Sequence, residues 1–526
     1  MIYTLGLNSK TEDNEVNGLT SKGRYCLITG LLTATLLILF SGGSEDVKAQ
    51  AAGPTVFDPN LAVRTVVSGL EQPVSMAFLG ANDMLVLEKA SGKVQRVVNG
   101  AVTGAVLDLP VNSASERGLL GIALHPDFPD KPWVYLYWTE SSTGADSNVS
   151  NEVPLLGNRV DRFVWNGATL TLDINLIKLR SFQADAGQPL RGNHNGGVLR
   201  FENRAVLHRG AGRGHDRGGD DDGDDDQARL FIIIGDNGRR GQTQNLPEGP
   251  FVPPAPDDQF GGPQPDNAHL TGVILRLNDD GTTPENNPFH EAGAMIGGEV
   301  GQNIQKIWAY GVRNSFGMAV DPFSGDLWEQ ENGDDAFDEI NRAEPGMNGG
   351  WIQLMGPIGR IAQFKSIEST PPPGSLQQVR WPPSNIADTP QEALARLFML
   401  PEAHYSDPEF SWKYAVAPAG IGFLASSALG PQYEGDLFVG AARPTLANGY
   451  LFHFNLTGNR RKIAVDDPRL DDRVADNSEK FDITESESLL FGRDFGVGTD
   501  IQTGPNGNLY VVSLSGGAVY EIYRVR

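Results

Sequence analysis

The sequence predicts an all-β chain whose short strands form a radial array of small sheets, and three observations carry that expectation. Gly (63) and Pro (34) are abundant among 526 residues and aromatics make up 8%, the composition of many short strands joined by tight turns. One phrase recurs along the chain: a turn with Gly, Asn or Asp, a short apolar strand, a gap, then a second strand starting near Gly. About six copies can be counted, and the economical architecture for such a series is a six-bladed β-propeller. A pair of β-sandwiches is the competing arrangement, although sandwiches seldom repeat one phrase so literally.

The copies follow in order. Asn82 to Leu87 leads to Gly92 to Val97, Trp133 to Trp138 to Arg159 to Trp165, and Leu230 to Ile234 to Val273 to Leu277. Gly325 to Trp328 leads to Asp338 to Ile340, Gly435 to Val439 to Gly449 to Phe452, and Gly507 to Val511 to Gly517 to Tyr520. In a propeller the loops of every sheet converge on one end of a central channel, so residues distant in sequence can build one site.

Two stretches leave this cadence. Residues 209–229 hold Asp220-Asp221-Asp222-Gly223-Asp224-Asp225-Asp226 among glycines and arginines, a composition that cannot bury a core. The expectation is a disordered, solvated insertion, with weak calcium capture as the alternative. Residues 356–405 are Pro-rich and predict one helix, with Thr389 as N-cap, Pro390 at the first position and Gln391 to Leu400 following. This inter-blade insertion could cap the channel mouth.

At the other end, Lys22 and Arg24 precede a 16-residue apolar run, Tyr25 to Phe40, and then Ala49-Gln50-Ala51. Residues 1–51 read as a secretory signal segment, with an uncleaved membrane anchor as the alternative, and residues 52–526 as the propeller. Either reading exports the body to the periplasm or the exterior. Cys26 lies in the apolar run and is the only cysteine, so the body has neither a disulfide nor a thiolate nucleophile. The net charge of -24 argues against nucleic acid and anionic membrane surfaces as partners.

The chemistry is expected around Asn193-His194-Asn195-Gly196-Gly197 and the strand Leu230 to Ile234, which opens into Gly235-Asp236-Asn237-Gly238. A histidine and a carboxylate from neighbouring strand ends make a general base and its orienter, because the acid fixes the imidazole tautomer and stabilises the imidazolium. The competing reading is two turn residues that never meet.

Six phrases together resemble the soluble quinoprotein glucose dehydrogenase and aldose sugar dehydrogenase family, the glucose/sorbosone dehydrogenases. They are Glu116 to Phe128 (ERGLLGIALHPDF), His194 to Gly197, Gly235 to Arg239, Gly272 to Leu277, Ala309 to Asn314, and Glu331 to Asp335 with Asp338 to Asn341. The resemblance runs from about residue 65 to the C-terminus. It implies a six-bladed propeller that oxidises a sugar at its anomeric carbon to the lactone, passing hydride to pyrroloquinoline quinone held by calcium. It implies His194 as base, Asp236 as its orienter, and Arg313 and Asn314 facing the quinone, with Glu116 near the sugar and Asn332 in the cofactor loop. It further implies the backbone carbonyls of Gly333 and Asp334 as calcium ligands.

One departure from the family stands out. Two arginines that grip the cofactor's carboxylates are replaced here by Val497 and Thr499, with Arg443 as a substitute for a missing lysine. A calcium-dependent propeller lactonase and a non-catalytic carbohydrate- or protein-binding propeller remain open beside the dehydrogenase. The sugar is the expected small-molecule partner, and an external electron acceptor is required.

Overall fold

The computed structural model describes residues 53–182, 192–203, 227–238, 243, 245, 270–369, 386–442 and 448–525. The leader (1–51), nearly all of the acidic insertion, Arg443 and the middle of the Pro-rich insertion lie outside the described residues.

The architecture is a β-propeller. Its strands group into six sheets. The first holds Pro73–Gly80, Asp83–Glu88, Lys93–Val98 and Ala101–Asp108. The second holds Leu119–Leu124, Trp133–Thr139, Asn158–Trp165 and Leu170–Leu179. The third is built on Leu199–Phe201, Arg229–Ile234, Val273–Asn278 and Ile307–Tyr310. The fourth is built on Gly317–Val320, Leu327–Glu331, Ala336–Arg342 and Phe410–Tyr414, and the fifth on Pro418–Phe423, Leu437–Ala441, Tyr450–Leu456 and Leu490–Arg493.

Those five sheets take their four main strands in chain order. The sixth sheet joins the last three strands, Gly498–Thr503, Leu509–Ser513 and Ala518–Arg524, to Leu61–Ser68 from the start of the described chain. The first strand of each of the first five sheets touches the first strand of the next, and Gly498–Thr503 touches both Pro418–Phe423 and Pro73–Gly80. In each recurring phrase of the sequence the two named strands pair antiparallel with one another.

The inner strands of the sheets are buried at nearly every position, the outer ones such as Leu61–Ser68 and Ala101–Asp108 much less so, and the apolar clusters form where neighbouring sheets face one another. One cluster joins Tyr135 and Val160 of the second sheet to Ile232, Val273 and Tyr310 of the third. At about 25 cal/mol per Å² of apolar surface, these faces are the main stabilising term for a chain without disulfides.

The Pro-rich insertion ties two sheets together. Its short strand His404–Tyr405 pairs in parallel with Met347–Asn348, which itself pairs with Ile307–Tyr310 of the third sheet. The expected helix forms as Pro390–Arg396, with the Thr389 hydroxyl accepting the Glu392 N–H. It stops before Leu400 because Leu397 is extended, and the following backbone is drawn to Tyr310. The Tyr310 hydroxyl donates to the Phe398 carbonyl at 2.8 Å and accepts the Leu400 N–H at 3.1 Å. Three further helices, His290–Ile296, Gly298–Ile304 and Ile361–Glu368, are additions that the strand cadence does not foretell.

Candidate functional site

The strand Arg229–Ile234 is buried along its Leu, Phe and Ile positions and ends at Gly235. A Cβ on Gly235 would lie 2.5 Å from the Arg313 carbonyl oxygen and 2.7 Å from that of His194. Three backbones cross there, and the Asp236 N–H donates to the Arg313 carbonyl at 2.9 Å. The crossing brings His194, Asp236 and Arg313 to one place.

His194 adopts a φ of 58°, a left-handed conformation that costs a residue with a side chain about 1–2 kcal/mol. Its surroundings hold it there. Its N–H donates to the Glu116 carboxylate, and the Gly197 N–H donates to the Ile233 carbonyl at 2.9 Å. The neighbouring Asn195 amide donates to the Gly192 carbonyl at 2.7 Å and accepts from Asn158 at 2.9 Å.

The imidazole Nδ1 meets Asp236 Oδ1 at 2.6 Å, and the two residues are 4% and 2% exposed. Oδ1 also accepts the Gly238 N–H at 2.6 Å, and Oδ2 accepts Trp351 Nε1 at 2.8 Å. Burial alone would raise the Asp236 carboxyl. The His194 charge and hydrogen bond, then the Arg313 charge and the Gly238 N–H, outweigh burial and hold it below its ordinary value. With Nδ1 committed to a carboxylate, Nε2 is the nitrogen left to take a proton.

The other half of the site is the turn Asn332 to Asp334, between Leu327–Glu331 and Ala336–Arg342. Asp338 fixes it: Oδ1 accepts the Gly333 N–H at 2.8 Å, while Oδ2 accepts the Val416 and Ala417 N–H groups at 2.6 and 2.8 Å. A Cβ on Gly333 would lie 2.1 Å from the Ala336 carbonyl oxygen, so the turn closes only over glycine. Burial pushes the Asp338 carboxyl up to about 6 against these three donors.

Arg313 reaches into the turn. Its Nη1 donates to the carbonyls of Asn332 (2.6 Å) and Gly333 (2.9 Å), and its Nη2 to Asp334 Oδ1 (3.3 Å). Lys480 donates to the Asp334 carbonyl at 3.1 Å and pairs with Asp335. Three consecutive carbonyls therefore gather cationic N–H groups. The Trp351 ring lies 5.3 Å from the Arg313 guanidinium carbon, so one indole touches both halves of the site.

Asn314 Oδ1 and Asp334 Oδ2 are buried oxygens with no hydrogen-bond partner among the described residues. These two oxygens and the three carbonyls, which here accept from Arg313 and Lys480, are all oxygen donors, the kind a hard cation such as calcium takes. The residues present fit that ion. Val497 and Thr499 bring no cation to the expected carboxylate clamp, and the Arg200 guanidinium next to it is paired with Asp500 at 2.7 Å. Val497 packs with Ala419 and Ala442, and the Thr499 hydroxyl donates to the Val512 carbonyl at 3.4 Å.

Of the residues named from sequence, Glu116, His194 and Asp236 meet around the imidazole, and Arg313, Asn332, Gly333 and Asp334 meet around the carbonyls. Asn314 lies beside them, its carbonyl accepting the Asn332 N–H at 2.8 Å. The Asn332 side chain faces Gln330 (3.2 Å) and the Pro418 carbonyl (2.9 Å), so it braces the turn through the backbone of the next sheet. Trp351 and Lys480 carry site contacts that sequence reasoning missed. Trp351 follows Asn348-Gly349-Gly350, the same amide and glycine signal that follows His194, and that signal could have found it.

Comparison with known proteins gives a family profile described as Glucose / Sorbosone dehydrogenase over residues 70–358. The chain is 26% identical to an aldose sugar dehydrogenase of Escherichia coli over 457 residues, covering 86% of this chain and 89% of that protein. It is 28% identical to quinoprotein glucose dehydrogenase B of Acinetobacter calcoaceticus over 340 residues, covering 62% and 59% respectively. Among solved structures, the apo form of the soluble aldose sugar dehydrogenase of Escherichia coli superposes with a TM-score of 0.54 at 22% identity, covering 88% of this chain and all (100%) of that one.

Proposed function

The chain belongs to the glucose/sorbosone dehydrogenase family, and we propose that it oxidises the anomeric C–OH of an aldose to the lactone, with pyrroloquinoline quinone as hydride acceptor. The observation that carries this reading is the 2.6 Å approach of His194 Nδ1 to Asp236, at a crossing shared with Arg313. When bound, the quinone supplies a two-electron acceptor and calcium a Lewis acid beside it.

The chain's own residues do the rest. His194 Nε2 takes the proton of the anomeric hydroxyl as hydride leaves the same carbon. Asp236 keeps Nδ1 protonated and stabilises the imidazolium that forms. Arg313 offers a planar cation where negative charge grows, and burial strengthens that interaction. The Gly333 and Asp334 carbonyls would hold calcium, with Asn314 alongside. Ligation through the backbone makes the identity of side chain 334 secondary.

Val497 and Thr499 set the expected cofactor affinity. Each charge-assisted hydrogen bond that an arginine would have donated is worth about 1.5–3 kcal/mol, so quinone affinity should be tens to thousands of times weaker than an arginine clamp would give. We count the antiparallel sheet that joins the last three strands to Leu61–Ser68 as a sixth blade, on the closed order in which first strands touch. We also propose export to the periplasm or exterior, on the apolar run 25–40 and Ala49-Gln50-Ala51.

The test is reconstitution. Purified protein with calcium and the quinone, given glucose or other aldoses and a dye acceptor, should reduce the dye. Absence of turnover with every aldose defeats the proposal, and lactone hydrolysis without quinone would replace it with a hydrolase.

A further inference from the structure

Lys89 follows the strand Asp83–Glu88 of the first sheet, and its ammonium donates to the carbonyls of Ser113 (3.3 Å) and Ser115 (3.0 Å). Those carbonyls belong to the segment that carries Glu116 and Arg117 into the second sheet. The two segments approach through their backbones. The Leu119 N–H donates to the Lys89 carbonyl at 3.0 Å, and a Cβ on Gly118 would lie 2.3 Å from that oxygen.

From there Glu116 reaches across to the main-chain N–H of His194, at the entrance to the third sheet. Arg117 is 1% exposed, and its Nη1 and Nη2 share the Ser150 carbonyl at 3.1 Å each. Its guanidinium lies against Gly192, where a Cβ would come within 2.5 Å of Nη2. Three sheets thus meet at one histidine, whose ring is fixed by Asp236 and whose backbone is fixed by Glu116.

We propose that Glu116, on a segment braced by Lys89, is a positioning residue for His194: its carboxylate pins the His194 main-chain N–H and thereby aims Nε2 at the substrate. The inference rests on His194 being the base. A left-handed residue with a side chain needs such a restraint, and a hydrogen bond to an ionised acceptor is about twice as strong as a neutral one. Lys89 and Glu116 feel each other electrostatically: burial draws the Lys89 ammonium down to about 8, while Glu116 opposes that fall and Arg117 adds to it. A small error of aim has a large effect on rate, because the proton must leave the anomeric hydroxyl oxygen in register with the hydride leaving its carbon.

Glu116→Gln, Glu116→Leu and Lys89→Met test this in the calcium- and quinone-loaded enzyme, with two aldoses of different stereochemistry. Glu116→Gln should lower kcat about tenfold and Glu116→Leu about a hundredfold, equally for both sugars, with KM within about twofold of wild type. Lys89→Met should lower kcat severalfold, and combining it with Glu116→Leu should add nothing further. A rise in KM for one sugar with kcat intact would make Glu116 a sugar ligand and overturn the proposal. Multiplying effects in the double variant would overturn the role of Lys89.

Amide hydrogen exchange at His194 gives a readout independent of turnover. Glu116→Leu should speed it tenfold or more, and unchanged exchange would refute the pin. If wild type turns over no aldose, the proposed function fails by itself and the exchange result still decides the pin. Lys89→Met, at a half-buried position, keeps the exchange test available should Glu116→Leu not fold.

Discussion

Asp236→Asn probes the base most sharply, because every group around that carboxylate donates. His194 Nδ1 and the Gly238 N–H lie at Oδ1, and Trp351 Nε1 lies at Oδ2. Asparagine brings one acceptor and one donor to a place that needs two acceptors. If its NH2 takes the Oδ2 position it faces the indole N–H, leaving buried donors unsatisfied at about 1–3 kcal/mol. If the NH2 takes the Oδ1 position, His194 must accept at Nδ1, which puts the proton on Nε2 and removes the base. Either way the negative charge that stabilises the imidazolium is gone. A positioned general base contributes about 10²–10⁴-fold, so kcat should fall by that range while the quinone still binds. The assay is dye reduction by the reconstituted enzyme, with nitrogen NMR of the His194 ring reporting the tautomer. A kcat within threefold of wild type, with the tautomer unchanged, would refute the reasoning.

Other perturbations follow from the same geometry. Trp351→Phe keeps a ring under Arg313 but removes the donor to Asp236, so kcat should fall about tenfold with quinone affinity unchanged, as steady-state kinetics and an absorbance titration would show. Gly235→Ala forces a Cβ against two carbonyl oxygens that cannot yield, and should cost about 1–3 kcal/mol in a thermal melt together with activity. Lys480→Met removes a half-exposed cation from the Asp334 carbonyl, so calcium affinity measured by calorimetry should rise about two- to fivefold.

A pH prediction comes from Glu329 and Glu339, buried on adjoining strands with the Asn341 amide donating to both. Burial pushes Glu329 up to about 8 and Glu339 up to about 7, from an ordinary 4.5. Folding therefore favours the protonated forms, whose stability is complete below about pH 4.5 and is lost as pH rises through about 7 and then about 8. The melting temperature should drop between about pH 4.5 and about pH 8, and Glu329→Gln should flatten that slope in calorimetry.

The strand pairs were legible because their signals are local. Gly-Asp-Leu and Gly-Asn-Leu turns followed by short apolar runs define strands without knowledge of neighbours. The base and its acid were legible as residues at strand ends. Which supports they meet was not: Glu116 lies 78 residues from His194, and Trp351 lies 115 from Asp236. Which carboxylate meets which N–H is decided by how sheets close around a channel, and no spacing in one sequence encodes it.

The insertion shows the same divide. Thr389-Pro390 announces a helix start, which the Thr389 cap honours. The stop at Arg396 is set by the distant Tyr310 hydroxyl, a tertiary interaction that overrides helix propensity through Leu400. Ile361, Phe364 and Glu368 carry a helical spacing that could have been read, but the prolines nearby masked it.

The central claim is that His194, oriented by Asp236, removes a proton as hydride leaves the anomeric carbon. Single-turnover reduction of the bound quinone by an aldose deuterated at that carbon, compared in wild type and His194→Ala, measures it directly. The account predicts a primary isotope effect of severalfold in wild type and rates at least a hundredfold lower in the variant. Equal rates for both isotopes together with undiminished reduction in His194→Ala would contradict it.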